Sequence, residues 1–159
     1  MKSINLILGA AIVSMLAGCS STPIVLDPVG PAPPGATAPL REGKLIVYSA
    51  TETINDGEIN YFPHTSYHIF TPDGKRFRTV NNHVGRNDET PEWVRLPAGS
   101  YNVRAQADGY GFVTVPVMIK WGRLTEVNLE TWGRKKTPVT NEAAVVQLPN
   151  GYVVGWRAK

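Results

Sequence analysis

Cysteine is almost missing from this chain: of 159 residues only Cys19 carries a thiol. No internal disulfide can form, and neither a CxxC pair nor a Cys/His cluster offers structural zinc. Long apolar runs are missing too, with no stretch of ~20 residues to cross a bilayer as a helix. Charge of one sign is scarce. Sixteen Lys and Arg stand against thirteen Asp and Glu, interspersed, so the formal net charge of +3 gives little attraction for nucleic acid. Catalytic signatures are lacking: there is no GxSxG, no HExxH and no phosphate-cradling glycine loop. Beyond residue 18 the serines are Ser20, Ser21, Ser49, Ser66 and Ser100, none in a nucleophile context. Acidic residues such as Glu52, Asp56 and Glu58 are present, but the ~5–9.5 Å separation that defines a glycosidase pair is not written in sequence, and thirteen acidic residues would supply such candidates by chance. These gaps point to a non-enzyme without a cofactor.

What is present begins with the first twenty residues. Lys2 supplies a basic start, Ile4 to Leu16 form a short apolar stretch, and Leu16-Ala17-Gly18-Cys19 follows. A basic start, an apolar segment of this length and small residues before a cut read as a secretory signal over residues 1–18. The alternative is a buried N-terminal helix. The tetrapeptide resembles the lipobox of bacterial lipoproteins. That resemblance implies a diacylglyceryl thioether on Cys19, cleavage before it, palmitate or a similar acyl chain on its amine, and attachment to the membrane. One acyl chain holds a protein marginally, at ~0.8 kcal/mol per buried CH₂, whereas two or three hold it stably. Ser20 after the cysteine goes, in enterobacterial lipoproteins, with transport to the outer membrane. The expected location is therefore the bacterial cell envelope.

Residues 19–42 read as the acylated cysteine and a Pro-rich linker. The stretch 20–41 holds six of the thirteen prolines, no aromatics and only Asp27 and Arg41 as charges. Proline fixes φ, removes a donor and biases its predecessor to extended conformations, so neither helix nor ladder is expected to propagate. At ~3.1 Å per residue this spacer would reach up to about 70 Å. A Pro-rich ligand segment recognised by a partner is the alternative.

Alternation decides the fold class from residue 43 onward. Tyr101, Val103, Ala105 and Ala107 alternate with Asn102, Arg104 and Gln106, the pattern of a half-buried strand. Val113, Val115, Val117 and Ile119 repeat it. Pro116, which cannot donate to a ladder, marks that strand as an edge or the site of a bulge. Further strands are expected at 44–50, 65–71, 75–81, 92–96 and 123–130, separated by turns such as Pro72-Asp73-Gly74 and Pro97-Ala98-Gly99. No convincing 3.6-residue period follows residue 20. Seven short strands in residues 43–130 predict an all-β fold, a single seven-stranded antiparallel β-sandwich with one modest core. Leu45, Val47, Tyr67, Ile69, Phe77, Val94, Leu96, Tyr101, Val103, Val113, Val115, Val117, Val127 and Leu129 are its expected core. Residues 131–159 read as a C-terminal extension with a β-hairpin, 145–148 and 152–156, around Pro149-Asn150-Gly151. It must pack on the sandwich or on a partner.

The run Val94–Glu130 (VRLPAGSYNVRAQADGYGFVTVPVMIKWGRLTEVNLE) resembles the carboxypeptidase regulatory-like and PEGA-type domains. The shared pattern is a strand, Leu-Pro-x-Gly, Tyr-x-Val, a Gly-Tyr turn and a final Val-x-Leu strand. The resemblance covers about a quarter of the chain. It implies a small prealbumin-like (Ig-like) sandwich, mostly non-catalytic and often borne by envelope proteins. The segments Glu52–Pro63 and Asn82–Pro91 are longer than a minimal member needs.

Three side-chain groups remain. His64, His68 and His83 lie within twenty residues, but on a regular strand the first two sit about 13 Å apart at ~3.3 Å per residue, too far for one metal ion. No metal site is expected unless a bend after Pro63 joins them with Asp88 or Glu89. Arg134-Lys135-Lys136 is either a solvated loop or a contact for anionic lipid or glycan phosphate. Trp93, Trp121, Trp132, Tyr152 and Trp156 are candidate ligand-binding residues, because an amphipathic ring suits sugars and proteins alike. The competing reading packs them between hairpin and sandwich edge. The leading functional expectation is a lipid-anchored, non-catalytic envelope lipoprotein that binds or supports another envelope component, a protein in the first instance. A glycan- or peptidoglycan-binding module is the alternative, and a hydrolase or metal carrier around the histidines ranks behind both. Cys19→Ala is expected to abolish labelling of the full chain by palmitate in growing cells. Labelled Cys19→Ala protein would sink the anchor assignment.

Overall fold

The computed structural model describes residues 24–31, 42–131 and 139–159. Cys19, Trp132 and the cluster Arg134–Lys136 lie outside the described residues, as does the signal segment 1–18. The strands are β1 (Ile24–Val25), β2 (Val29–Gly30), β3 (Glu42–Tyr48), β4 (Ile54–Asn55), β5 (Asn60–Tyr61), β6 (Tyr67–Phe70), β7 (Arg76–Val80), β8 (Trp93–Pro97), β9 (Gly99–Ala107), β10 (Gly111–Ile119), β11 (Leu124–Asn128), β12 (Val145–Gln147) and β13 (Val153–Arg157). Apart from a 3₁₀ turn at Glu142–Ala144, the regular structure among the described residues is all β.

The alternation is obeyed most fully in β9 and β10, where each odd residue from Tyr101 to Ala107 and from Val113 to Ile119 is buried. The two strands pair antiparallel without a break from Gly111↔Ala107 to Ile119↔Gly99. Asp108-Gly109-Tyr110 reverses the chain. The Tyr110 N–H donates to the Ala107 carbonyl at 3.1 Å, and Gly109 takes a φ of +77° that a side chain would resist.

Around this hairpin the first sheet is ordered β12-β13-β2-β10-β9-β6-β7, with β1 also paired to β10. A second sheet is ordered β11-β3-β8, and β4 and β5 form a small separate hairpin. Inward side chains of both sheets make one cluster, including Leu45, Val47, Leu96 and Val127 from the smaller sheet and Tyr67, Val103 and Val115 from the larger. Strand direction departs from expectation. β1 and β2 run parallel to β10, and β11 runs parallel to β3, so the sheets are mixed rather than antiparallel. Alternation reports which face a residue occupies and says nothing about the direction of the neighbour.

The supposed spacer is corrected in the same region. Residues 24–31 dock as strands, and Val29 is completely buried. Pro28 falls between the two strands and Pro31 just after the second, so neither interrupts a strand of two residues. The Leu26 N–H donates to the Thr114 carbonyl at 2.9 Å, and the Pro28 carbonyl accepts from Ala158 N–H at 3.0 Å. Asp27 pairs with Arg157 at 2.8 Å, and Pro31 bridges to Thr125 of the smaller sheet. The segment therefore touches β10, β13 and β11 together. Pro116 is consequently interior. Even-numbered residues of β10 direct their main-chain groups toward β1 and β2, and Pro116 falls at the step between Val25↔Thr114 and Val29↔Val117, where no donor is needed.

Of the expected core, all but Phe77 belong to the buried cluster. Phe77 is 45% exposed: it lies on edge strand β7, where Val80 is the one buried residue, and at a register shift in which Ile69 pairs with Arg78 and Phe70 with Arg76, leaving Phe77 as the extra residue. Its ring meets Tyr101 edge-on at 5.3 Å. The C-terminal hairpin adds Val146, Leu148 and Val154 to the same core, as β13 pairs with β2. Gly155 makes that fit possible, since a Cβ there would lie 2.5 Å from Val29 Cγ1 and 2.6 Å from the Glu126 carbonyl oxygen.

Val29→Ala is expected to lower stability by about 2–3 kcal/mol in urea unfolding. Val25→Ala, on the exposed side of the same segment, should stay within about 0.5 kcal/mol. Equal and small effects at both positions would show that the segment is not docked.

Candidate functional site

The direction of β10 gives the molecule two ends, one at Gly111 and one at Ile119. At the first end the β9–β10 turn and neighbouring loops enclose a broad hollow of about 630 Å³, lined by Thr51, Thr53, Phe62, Asp108, Tyr110 and Asn150 among others. Asp108 is engaged in structure there, accepting from Thr131 N–H at 2.7 Å. At the second end lies a cleft of about 320 Å³ lined by Pro31, Lys120, Arg123, Ala144, Trp156, Arg157 and Lys159. Four of its seven lining residues are cationic and none is acidic. Lys120 and Arg123 flank the β10–β11 turn, while Trp156, Arg157 and Lys159 come from β13 and the residues after it. Lys120 Nζ donates to the main-chain oxygen of Lys159 at 2.9 Å, which folds the final residues over the cleft. Arg157 is fixed by Asp27 and by the Val145 carbonyl at 3.2 Å.

The expected aromatic residues do not converge. Trp156, 41% exposed, lines this cleft. Trp121, 61% exposed, sits on the adjoining turn. Trp93, 49% exposed, lies on the outer face of the smaller sheet opposite Ile46, with Lys44 Nζ 5.3 Å from its ring centre. Tyr152 is packed partly buried against the core. The indoles of Trp93, Trp121 and Trp156 are thus open to solvent and are not sealed between hairpin and sheet.

The histidines take up separate tasks. His64 is buried, with Nδ1 2.6 Å from the Ser49 carbonyl and its ring edge-on to Tyr48. His83 Nδ1 meets the His64 carbonyl at 2.9 Å, whereas His68 stands on the outer face of the larger sheet with Nδ1 3.1 Å from Thr79 Oγ1. Among the described residues no three His, Cys, Asp or Glu side chains are grouped to hold a metal ion. Ser49, whose carbonyl meets His64, is fully buried and its hydroxyl donates to the Thr65 carbonyl at 2.7 Å. Asn82 bonds Ser49 Oγ and the Val47 carbonyl and accepts from Glu92 N–H. Glu89 accepts from Phe62 N–H at 2.8 Å. These contacts knit the two long segments, 52–63 and 82–91, to each other and to β3. Asp88 organises the second of them: the N–H groups of Val84 and Thr90 bond its carboxylate and hold it below the usual carboxylate range.

The cationic residues of the cleft were not among the sequence candidates. Lys120 and Arg123 bracketing Trp121-Gly122, and Arg157 and Lys159 after Trp156, are visible as pairs. Their meeting depends on β2 holding β13 beside β10, which no local pattern announces. Comparisons of the chain with protein-family models, curated proteins and solved structures find no match in any of the three.

One buried group gives a test of the core beneath these loops. The hydroxyls of Tyr67 and Thr65 are buried with no hydrogen-bond partner among the described residues. Burial pushes the Tyr67 phenol well above the ordinary tyrosine range, and the nearby Glu92 charge adds to the rise. A pKa raised by folding gives stability that is fully present below pH ~10 and is lost as pH rises beyond it. Tyr67→Phe should therefore be neutral or stabilising by up to about 2 kcal/mol at pH 7, and should reduce the alkaline loss. Destabilisation at pH 7 in urea unfolding would mean that the hydroxyl is bonded.

Proposed function

We propose that this chain is a lipid-anchored, non-catalytic lipoprotein of the bacterial cell envelope, with a prealbumin-like β-sandwich that binds or supports another envelope component, foremost a protein. On this reading Cys19 carries the lipid, Ser20 directs the chain to the outer membrane, and the β-sandwich is of the carboxypeptidase regulatory-like kind. The observation that carries the reading is the docking of residues 24–31. Ile24 is five residues beyond Cys19 and pairs with Val113 near the first end of β10. Five residues span at most about 18 Å. An acylated Cys19 would therefore hold the first end against the membrane and turn the second end, with its cationic cleft, outward. A body presented in a fixed orientation suits a docking role better than a tethered domain on a long spacer would.

A glycan-binding module is the second reading, and the exposed Trp156 indole among four cations favours it. Both are separated by cross-linking in intact cells, mild-detergent purification and mass spectrometry, with Cys19→Ala as control. The expected result is one stoichiometric envelope protein, lost in the control. Recovery of wall fragments without protein would favour the glycan reading. Recovery of neither would reject both.

A further inference from the structure

We infer that the free edge of β7 takes an extended acidic segment of another protein as an added strand. The inference rests on the protein-docking reading and deepens it, for it assigns the surface and the chemistry of the partner.

Main-chain direction decides which groups are free. Ala50 N–H donates to the Gln106 carbonyl at 2.9 Å, on the side away from β10, so the even residues of β9 turn their main chain toward β6. Arg104 and Asn102 lie opposite His68 and Phe70, whose main-chain groups therefore face β9. Tyr67 and Ile69 are left to bond β7, at Val80 and Arg78. Thr79 and Arg76, opposite His68 and Phe70, consequently turn their N–H and C=O groups outward. β7 is the last strand of the larger sheet, so among the described residues these groups have no main-chain partner.

Side chains along the edge choose the occupant. Lys75, Arg76 and Arg78 stand along it, and none of the three makes an ion pair or a side-chain hydrogen bond among the described residues. The Arg76 guanidinium lies 5.9 Å from the centre of the Phe70 ring, a contact that leaves its N–H donors open. Between Thr71 and Val80 the one acid is Asp73, in the turn before the strand. Phe77 stands half-exposed among the cations with its ring against Tyr101. Cations and a register shift keep two such edges from joining, since like charges directly opposite repel. A second copy of β7 is therefore turned away. A strand bearing Asp and Glu meets the same cations with charge-assisted hydrogen bonds, added to those of the main-chain ladder. One large apolar side chain on that strand would cover Phe77.

The test uses the full chain in detergent micelles and a fluorescent heptapeptide, EVEFEVE, read by anisotropy. The peptide should bind ten-fold or more tightly than KVKFKVK, with an affinity that falls as salt rises. The acidic peptide N-methylated at alternate residues, made in both registers, keeps its charge and loses main-chain donors; the weaker register should bind at least ten-fold less tightly than the parent. Lys75→Gln combined with Arg78→Gln should weaken the parent peptide ten-fold or more. Thr79→Pro removes an outward N–H and leaves the ladder to β6 intact, a place where an edge strand tolerates proline, and should weaken it as much. Arg95→Gln, on the smaller sheet, should leave binding unchanged.

Equal binding of the acidic and basic peptides would overturn the proposal, as would equal binding of the parent and both methylated peptides. Binding undiminished by the Lys75/Arg78 variant would do the same. Protection of the Thr79 amide from hydrogen exchange without peptide, lost on dilution, would give the edge to a second copy and overturn it too. In cells the envelope-protein cross-link should disappear in Thr79→Pro. A cross-link that survives would overturn this edge while the docking reading stands, and absence of any protein cross-link in the unaltered chain would reject both. Urea unfolding of each variant separates lost binding from lost fold; if Thr79→Pro does not fold, the methylated peptides and the Lys75/Arg78 variant decide.

Discussion

The insertion of residues 24–31 between β10 and β13 is the constraint on which the rest of the structure depends. It supplies only four paired residues, yet it joins three strands that would otherwise part. β10 would expose an edge interrupted by Pro116, and the C-terminal hairpin would lose the strand through which it enters the larger sheet. The Pro31–Thr125 bridge to the smaller sheet would also go. Unpaired edges attract other chains, so this short segment protects as well as connects. The burial of Val29 alone contributes about 1.5–3 kcal/mol, a large share of what a domain this size has to spare.

Both clefts and loops arrange themselves around that closure. At one end of the sheets the hollow is of mixed lining, and its acid, Asp108, is occupied in holding Thr131. At the other end cations and an indole converge because β2 brings the last strand beside the β10–β11 turn. The long segments 52–63 and 82–91 are tied into a buried polar network through His64, Asn82 and Glu89, so their length goes into internal bonding. Cationic side chains are gathered at one end, while His64, His83 and Ser49 are absorbed by the framework.

Much of this was legible in the sequence, and what was not has physical reasons. Period-two alternation located β9 and β10 to within two residues and identified Leu45, Ile69, Val103 and Val127 as core, because a half-buried strand must alternate. Phe77 misled because Val80, of opposite parity, is the inward residue of β7, and the remainder of that edge strand is exposed. Residues 24–31 were hidden for the opposite reason. Ile24, Val25 and Leu26 are all apolar, so no alternation separates inward Ile24 and Leu26 from outward Val25, and the surrounding prolines imitate a linker. The cleft could not be foreseen at all, since Lys120 and Trp156 come together only through β2. Trp93 and Trp121 face solvent where packing against the sandwich edge was the favoured expectation, because sequence offers no way to judge which indole has neighbours to cover it.

The pairing of Asp27 with Arg157 joins residues 130 positions apart. A strand made early therefore waits for a partner that follows it by about 130 residues. Contacts of such long range slow folding, since the loop must close before any bond rewards it. Until β13 emerges, no partial chain can complete the larger sheet. That delay makes the larger sheet the last part of the body to close, around a strand that has been waiting for its partner since early in synthesis.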